Sequence, residues 1–161
     1  MTTAYLATPI DLHRDRAVVE TRDTIRDELF EMGFSAVFDP STAWTISAAA
    51  EPSPGLQQVN LAALGAADAL VAYLPEGVPT LGVPLEIHYA SQMGKPVLIY
   101  TGQASRSWTL AWFGRGGNVY YRDDLERFVA AVAGAADSGD EQAKRDRALS
   151  REQARAEMMN R

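Results

Sequence analysis

The stretch ADALVAYLPEGVPTLGVPLEIHYASQMGKPVLIY, residues 67–100, decides the fold. Its first apolar run, Ala69–Leu74, lies between turn-forming residues and is typical of a buried strand. Val97–Tyr100 is a second run of the same kind. Between the two, Pro84–Met93 fits a helix that has proline at its first position and glycine just after its end. The order of strand, helix and strand predicts a parallel crossover unit.

This unit also indicates where a ligand would bind. In parallel sheets ligands bind beyond the carboxyl ends of the strands, here the loop Pro75–Val83 and the start of the next helix. Glu86 falls in the first turn of that predicted helix. An acid there suits the helix dipole even without a function. The dipole and nearby amides are expected to lower its pKa, and an ionised carboxylate suits attack on a sugar carbon, so we predict that Glu86 is the centre of the chemistry.

The rest of the chain continues the alternation of strands and helices. The predicted strands are Ala4–Thr8, Phe34–Phe38 and Asn118–Tyr121, and the predicted helices are Asp11–Met32, Pro54–Ala67 and Arg122–Ala133. Spacing predicts core positions at Leu56, Val59, Ala63 and Ala67 in one helix and at Leu125, Phe128, Val129 and Val132 in another. We therefore predict an α/β fold, a doubly wound (Rossmann-like, flavodoxin-like) sheet of about five parallel strands flanked by helices.

Two linking segments carry aromatic residues. Asp39–Gly55 is predicted to be a long loop around Trp44, either a functional lid or a tolerated insertion. Gln103–Gly117 contains Trp108, Trp112 and Phe113, which would cover a ligand, form an interface between subunits or pack on their own domain. We predict one domain at 1–136 and a charged helical or disordered tail at 137–161.

Composition narrows the class of protein. The chain has 161 residues, 47% of them hydrophobic, and a formal net charge of −6. The acidic balance argues against nucleic acid as a partner, because binding its phosphates needs a basic face. The absence of cysteine excludes disulfides and fits a reducing compartment. No apolar stretch is long enough to span a bilayer, so we expect a soluble cytoplasmic protein that does not bind membranes.

Several other chemistries lack their motifs. Two histidines, His13 and His88, without cysteine make a metal site improbable, and we predict no cofactor. The chain contains no P-loop, no G-x-G-x-x-G and no G-x-S-x-G. Thr80-Leu-Gly82 precedes the helix of Glu86 and fits either an anion cradle or a plain turn.

Four stretches together resemble the nucleoside 2-deoxyribosyltransferase superfamily. They are YLATPI at 5–10, AD at 67–68 followed by its strand, LGVPLEIHYA at 81–90 and GKPVL at 94–98. The resemblance covers about residues 4–130, and its most specific part is Thr80 to Glu86. Within the superfamily the chain is most similar to the 2'-deoxynucleoside 5'-monophosphate N-glycosidases and the related CMP hydrolases.

The resemblance implies roles for individual residues. Glu86 would be the nucleophile that attacks the anomeric carbon, and Tyr5 would orient its carboxylate by a hydrogen bond. Thr80, beside Gly82, matches a serine that binds the 5'-phosphate in the hydrolases, where the transferases carry Asp-x-Gly. Thr109 falls near a second phosphate-binding serine that a neighbouring subunit supplies, which implies a homodimer or higher homo-oligomer with shared active sites.

Two positions depart from the family pattern. Asn60 stands where the family has a base-contacting aspartate, so the catalytic set is Glu86, Tyr5 and this amide. Asp11 stands where the nucleotide hydrolases have arginine. The residues implied for substrate binding are Thr80, Gly82, Ile10, Asp11, Arg14 and Thr109. Three functions stay open: a nucleotide N-glycosidase, a deoxyribosyltransferase acting on free nucleosides, and a nucleotide sensor without catalysis.

Overall fold

The computed structural model describes residues 1–9, 15–44, 54–78, 80–101 and 118–134, without the side chains of residues 43, 44, 54 and 56. The strands are β1 (Thr3–Ala7), β2 (Ala36–Phe38), β3 (Ala69–Leu74), β4 (Val97–Thr101) and β5 (Val119–Tyr121). The helices are α1 (Arg16–Glu31), α2 (Pro40–Trp44), α3 (Pro54–Ala66), α4 (Gly82–Gln92) and α5 (125–134), the last preceded by a 3₁₀ turn at Arg122–Asp124. The predicted tail and the aromatic segment Gln103–Gly117 lie outside the described residues.

All five strands form one parallel sheet in the order β2-β1-β3-β4-β5. This order is that of a flavodoxin-like doubly wound fold and confirms the predicted fold class. In the register of the sheet, Tyr5 in the middle of β1 lies opposite Phe38 of β2 and Leu70 of β3. Residues that follow Phe38 therefore leave the sheet at the same edge as those that follow β1.

Alternation along the strands separates the core into two layers. One layer holds Tyr5 and Ala7 of β1 together with Val83 and Ile87 of α4. The other layer packs the remaining β1 positions, such as Leu6, against α1 and α5. Because side chains at i and i+2 share a face, Tyr5 must point toward the layer that contains α4.

Two of the predicted core positions are wrong. Val59 of α3 is 50% exposed, whereas Leu64, which the predicted stripe omitted, is fully buried. Five residues turn a helix by roughly 140° past a full turn, so these two side chains cannot share a face. Val129 is exposed too, because it lies about 100° around α5 from the buried Phe128. The side chain of Leu56 lies outside the described residues.

Most element ends differ from the prediction by one to three residues, and the differences that matter most concern the start of α1, the segment after β2 and the start of α4. The first helix begins at Arg16, with Asp15 as its N-cap, while residues 10–14 lie outside the described ranges. The expected loop after β2 starts instead with α2, where Asp39 accepts a hydrogen bond from the backbone N–H of Ser41. The helix α4 begins at Gly82, two residues before Pro84, so Glu86 lies in its second turn and not its first.

Polar contacts fasten the amino edge of the sheet. Asp68 accepts hydrogen bonds from the backbone N–H of Thr3 at 2.7 Å and from its hydroxyl at 3.0 Å. The ammonium of Lys95 donates to the carbonyl oxygens of Gly65, at 3.0 Å, and of Ala67, at the end of α3. Asn118 in turn donates to the carbonyl of Lys95 at 2.8 Å. These contacts lie at the edge opposite to the predicted site.

No helix among the described residues is both long and apolar enough to cross a membrane.

Candidate active site

Tyr5 and Glu86 meet between β1 and α4. The phenol of Tyr5 donates a hydrogen bond to Oε1 of Glu86, with an O–O distance of 2.5 Å. This length is at the short end for a hydroxyl donating to a carboxylate, the strong charge-assisted kind. The hydrogen bond expected between these two side chains is therefore present, while the catalytic roles assigned to them stay predictions.

Burial controls the acidity of both partners. Desolvation raises the pKa of Glu86 from 4.5 to about 7, although the hydrogen bond from Tyr5 acts in the opposite direction. The expectation that the helix dipole would lower this pKa is thus wrong. The dipole acts mainly within the first turn of a helix, and Glu86 lies one turn further along. The pKa of Tyr5 is also raised, first by burial and then by the neighbouring charge of Glu86, so this phenol remains a donor.

The ring of Tyr5 is fixed by its neighbours in the sheet. Its side chain is fully buried, and its ring stacks on that of Phe38 with centroids 5.6 Å apart. Both residues occupy paired positions on adjacent parallel strands. A ring held on one side by the sheet and on another by Phe38 can place its hydroxyl at one point, which is what an orienting residue requires.

The start of α4 provides a position for an anion. Thr80 lies two residues before the helix, and the N-cap residue Leu81 makes no side-chain hydrogen bond to the free amides. Among the described residues, no heavy atom lies within 4 Å of the position that a methyl group on Gly82 would take, so this part of the structure leaves the space beside the first turn open. Unsatisfied N–H groups at a helix start favour phosphate or carboxylate ligands. The anion cradle at this helix start stays a prediction.

Asn60 lies on the inward side of α3. It precedes the buried Leu64 by four residues, which places both on one face of the helix. The end of α3 is held at the amino edge by Lys95, and Asn60 lies six residues before the last residue of α3, nearly two turns nearer to the carboxyl edge. Its side chain is partly exposed and can reach a ligand as a hydrogen-bond donor or acceptor, but an amide cannot exchange a proton as a carboxylic acid does.

A buried charged cluster beside β2 was missed by the sequence analysis. Asp39 immediately follows Phe38, and its carboxylate accepts from the hydroxyl of Ser41 at 2.6 Å. Arg22 of α1 donates to the same hydroxyl at 2.8 Å and lies 3.4 Å from the second carboxylate oxygen of Asp39. The sequence Asp-Pro-Ser is a signal for a helix start that could have revealed the position of Asp39, whereas nothing local identifies Arg22 as its partner.

The remaining predicted site residues cannot be placed. Ile10, Asp11, Arg14 and Thr109 all lie outside the described residues. Within the described ranges, no group of three or more histidines, cysteines or acidic residues is arranged to hold a metal ion. The structure joins Tyr5 to Glu86 by a hydrogen bond, and Gly82 lies about one turn before Glu86 on the same helix. The roles of Asn60, Thr80 and Gly82 at this site stay predictions.

These groups together can perform displacement at a carbon that carries positive charge. In its ionised form Glu86 offers a poorly solvated carboxylate, which is a better nucleophile than one in water. Among the described residues Tyr5 alone donates a hydrogen bond to it, through Oε1, so Oε2 is left for a substrate. The helix start a short distance away would hold an anionic group of the same substrate.

Comparison with known proteins gives a consistent result. The sequence profile described as nucleoside 2-deoxyribosyltransferase matches residues 4–120. A conserved protein of Enterococcus faecalis V583 has a similar structure, with a TM-score of 0.63 and 17% identity over 83% of this chain and 98% of that one. No curated protein is a significant match to the sequence.

Two structural neighbours have named activities. The 2-deoxyribosyltransferase of Bacillus psychrosaccharolyticus has a TM-score of 0.54 and 17% identity, and the match covers 66% of this chain and 77% of that one. The CMP N-glycosidase BcmB of Clostridium botulinum has a TM-score of 0.52 and 18% identity, with coverage of 74% and 86%. At these identities the likeness concerns the fold.

Proposed function

The chain belongs to the nucleoside 2-deoxyribosyltransferase family, and from that premise we propose that it hydrolyses the N-glycosidic bond of a nucleoside 5'-monophosphate. The family consists of enzymes that act on small-molecule nucleosides or nucleotides. The products would be the free base and ribose or deoxyribose 5-phosphate. The observation that carries the proposal is the 2.5 Å hydrogen bond between the buried Tyr5 and the partly buried Glu86, on a helix whose start is open among the described residues.

Glu86 would act as the nucleophile. Its carboxylate attacks the anomeric carbon, the bond from that carbon to the base nitrogen breaks, and the bonding electrons leave with the base. The leaving base then gains a proton, and water cleaves the glycosyl ester to regenerate the carboxylate. Tyr5 holds the attacking group in place and does not itself bond to the sugar. Asn60 would contact the base without supplying the proton.

Thr80 favours a nucleotide over a nucleoside as substrate. Its hydroxyl, the open space at Gly82 and the uncapped amides at the start of α4 form a site for one phosphate. A carboxylate at this position, as in the transferases, would repel that phosphate. These features support the hydrolase over the transferase, whose substrates lack the charge.

The decisive experiment measures release of free base. The protein is incubated with a panel of ribonucleoside and deoxyribonucleoside monophosphates and with the corresponding nucleosides, and products are separated by chromatography. Base release from nucleotides that disappears in Glu86→Gln is expected. Base exchange that requires a second free base would instead identify a transferase. Saturable nucleotide binding without any product would identify a sensor.

We also propose that the active unit is a homodimer or a higher homo-oligomer. Four exposed apolar side chains follow one another at intervals of four residues along α4, and they are Leu81, Leu85, Tyr89 and Met93. Glu86, which is hydrogen-bonded to Tyr5, and His88 are the ionisable side chains of this helix besides Tyr89, and the stripe itself contains no Asp, Glu, Lys, Arg or His. Two copies of a chain with net charge −6 repel each other least through such a face.

Pairing through this α4 stripe would bring two active sites together. Ridges formed by residues four apart pack against each other across a two-fold axis, so the stripe can be its own partner. Because the stripe lies on the helix that carries Glu86, the second copy would sit beside the site. The family resemblance implies that Thr109 of the neighbouring subunit would then lie beside this site.

A reducing compartment such as the cytoplasm stays our expectation for the protein, since it has no cysteine.

A further inference from the structure

The cluster of Arg22, Asp39 and Ser41 has no part in the proposed reaction, yet it lies directly beside the site. Its charged side chains are almost fully buried: that of Asp39 is 3% exposed and that of Arg22 is 12% exposed. Burying two opposite charges usually stabilises a fold little, because both lose their hydration. A cluster of this kind next to a reacting carboxylate therefore calls for a role other than stability.

Among the described residues, no donor makes a hydrogen bond to one oxygen of Asp39, its Oδ2. Its Oδ1 accepts from both the backbone N–H and the hydroxyl of Ser41. The Nε of Arg22 is 3.4 Å from Oδ2 but donates its hydrogen to Asp23, at 3.1 Å, so Oδ2 has an ion pair without a hydrogen bond. The positive charge of Arg22 thus lies close to the negative charge of Asp39, although no hydrogen bond joins the guanidinium to Oδ2.

This charge lies close to the pair of Tyr5 and Glu86. Asp39 is the next residue after Phe38, whose backbone pairs with that of Tyr5 and whose ring stacks on it. The charge of Asp39 contributes to the raised pKa of Tyr5, after burial and the effects of Glu86. A movement or a change of charge at Asp39 is therefore transmitted to the phenol that holds Glu86.

The other elements around the pair contribute few ionisable groups. Among the described residues, β1 supplies Tyr5, α4 supplies Glu86 and the partly buried His88, and β5 supplies Tyr121. From α3 comes the neutral amide of Asn60. Asp39 at the end of β2 and Arg22 of α1 are thus a full negative and a full positive charge set beside a mainly apolar layer. In such surroundings charges act over longer distances than in water.

We propose that Arg22 and Asp39 are positioning residues whose opposite charges set the proton affinity of the Tyr5–Glu86 pair and thereby the pH at which the site becomes active. This inference rests on the proposed function only for its effect on turnover. Loss of Asp39 removes a negative charge and loss of Arg22 removes a positive one, so the two losses act on the pair in opposite directions. Asp23, which accepts from Arg22 at 2.8 and 3.1 Å, keeps its charge in both variants.

The test compares four variants by carboxyl ¹³C NMR of Glu86, whose signal is assigned by its disappearance in Glu86→Gln. Asp39→Asn leaves the positive charge and is expected to lower the apparent pKa of Glu86, whereas Arg22→Gln leaves the negative charge and is expected to raise it. Each shift is expected to be roughly half a pH unit or more. The double variant should return close to the wild type. Arg26→Gln is the matched control, because Arg26 pairs with Asp23 at 3.2 Å but not with Asp39.

Shifts of both single variants in the same direction, or no larger than that of Arg26→Gln, would overturn the inference. A purely structural role predicts earlier melting in both variants without opposite shifts. If Arg22→Gln does not fold, Asp39→Asn alone decides the test. Asparagine has nearly the same shape as aspartate, and the inference requires that this variant lower the apparent pKa of Glu86. The NMR titration needs no turnover. If the two variants shift the pKa of Glu86 in opposite directions but the protein releases no base, this inference stands and the proposed function is rejected. If the protein releases base but the shifts are not opposite, the proposed function stands and this inference is rejected.

Discussion

The phenol oxygen of Tyr5 lies 2.5 Å from Oε1 of Glu86, although 81 positions separate the two residues in the chain. One is in the middle of a strand and the other in the second turn of a helix that packs on the same layer. Neither element alone can form the contact. The site therefore exists only when β1, β3 and α4 have assembled, which links catalytic competence to the fold.

Replacing Glu86 by glutamine is expected to remove base release while keeping the fold. The amide has nearly the same shape but is a poor nucleophile, so turnover should fall by more than about a thousand-fold. Circular dichroism should show an unchanged spectrum, and chromatography should show intact nucleotide. Glu76→Gln, at an exposed acid in the turn before the helix, is the control and should keep full activity. Retained turnover in Glu86→Gln would exclude Glu86 as the nucleophile.

Activity is expected to rise with pH around neutrality. Burial raises the pKa of Glu86 to about 7, and the reaction needs the ionised form, so kcat/KM should increase between pH 6 and pH 8 with a midpoint near 7. A flat profile across this range, with chemistry known to be rate-limiting, would contradict the assignment.

The same pKa predicts how stability depends on pH. Below 4.5 the carboxyl is protonated in both states; between 4.5 and about 7 the unfolded chain loses a proton that the folded protein keeps. Stability contributed by Glu86 is therefore present at low pH and is lost as pH rises through 7. Glutamine does not ionise, so Glu86→Gln does not lose stability in this way. Its free energy of unfolding should therefore exceed that of the wild type by an amount that grows between pH 4.5 and about 7, to about 3 kcal/mol at most. Urea melts at pH 4.5, 6 and 8 measure the difference.

Replacing Tyr5 by phenylalanine isolates the hydrogen bond. The ring still fills its buried place against Phe38, but the carboxylate loses the donor that orients it. Because the lost bond lowered the pKa of Glu86, the midpoint of the pH profile should move upward. Loss of a hydrogen bond to a charged group corresponds to a fall in kcat of roughly ten- to a hundred-fold. An unchanged midpoint would show that Tyr5 has only a packing role.

Thr80 is expected to distinguish nucleotides from nucleosides. Thr80→Val keeps the shape and removes the hydroxyl, which should reduce kcat/KM for nucleotides by roughly ten- to a hundred-fold. Activity on nucleosides should hardly change, and Thr80→Ser should behave like the wild type. Equal losses on both substrates would contradict phosphate binding at this residue.

A charge on the α4 stripe is expected to break the oligomer. Leu85→Glu places a carboxylate in the middle of the uncharged stripe, where a second copy would have to bury it beside its own. Light scattering should report a monomer for this variant and a dimer or larger species for the wild type. Val129→Glu, at an exposed apolar residue of α5 in the opposite layer, is the matched control and should leave the assembly unchanged. A monomeric wild type with full activity would reject shared sites.

The strands were predictable because each is a short apolar run between turn residues. Ala69–Leu74, for example, has the predicted boundaries. The helix faces were less predictable in α3, where many alanines and glycines make the stripe weak and allowed Val59 to be taken for a core residue. The start of α4 was misplaced because proline is also tolerated within the first turn, here as its third residue.

The position of Glu86 followed from the chain, but its environment did not. A local argument from the helix dipole predicted a lowered pKa, whereas burial between β1 and α4 decides the outcome. Desolvation depends on residues distant in sequence, so it cannot be judged from the helix alone. The pairing of Arg22 with Asp39 was hidden for the same reason: it joins the middle of α1 to the end of β2.

The contacts of Asp68 with Thr3, and of Lys95 with the end of α3, have a consequence for engineering. These hydrogen bonds connect the beginnings of β1, β3 and β4 and the end of α3 at the edge of the sheet remote from Glu86. The loops at the other edge are therefore not needed to keep these elements in place. A designer could exchange residues 75–81 to accommodate a group other than the 5'-phosphate without disturbing these ties. Laboratory evolution of new substrate scope should therefore begin in that loop, with Asp68 and Lys95 kept constant.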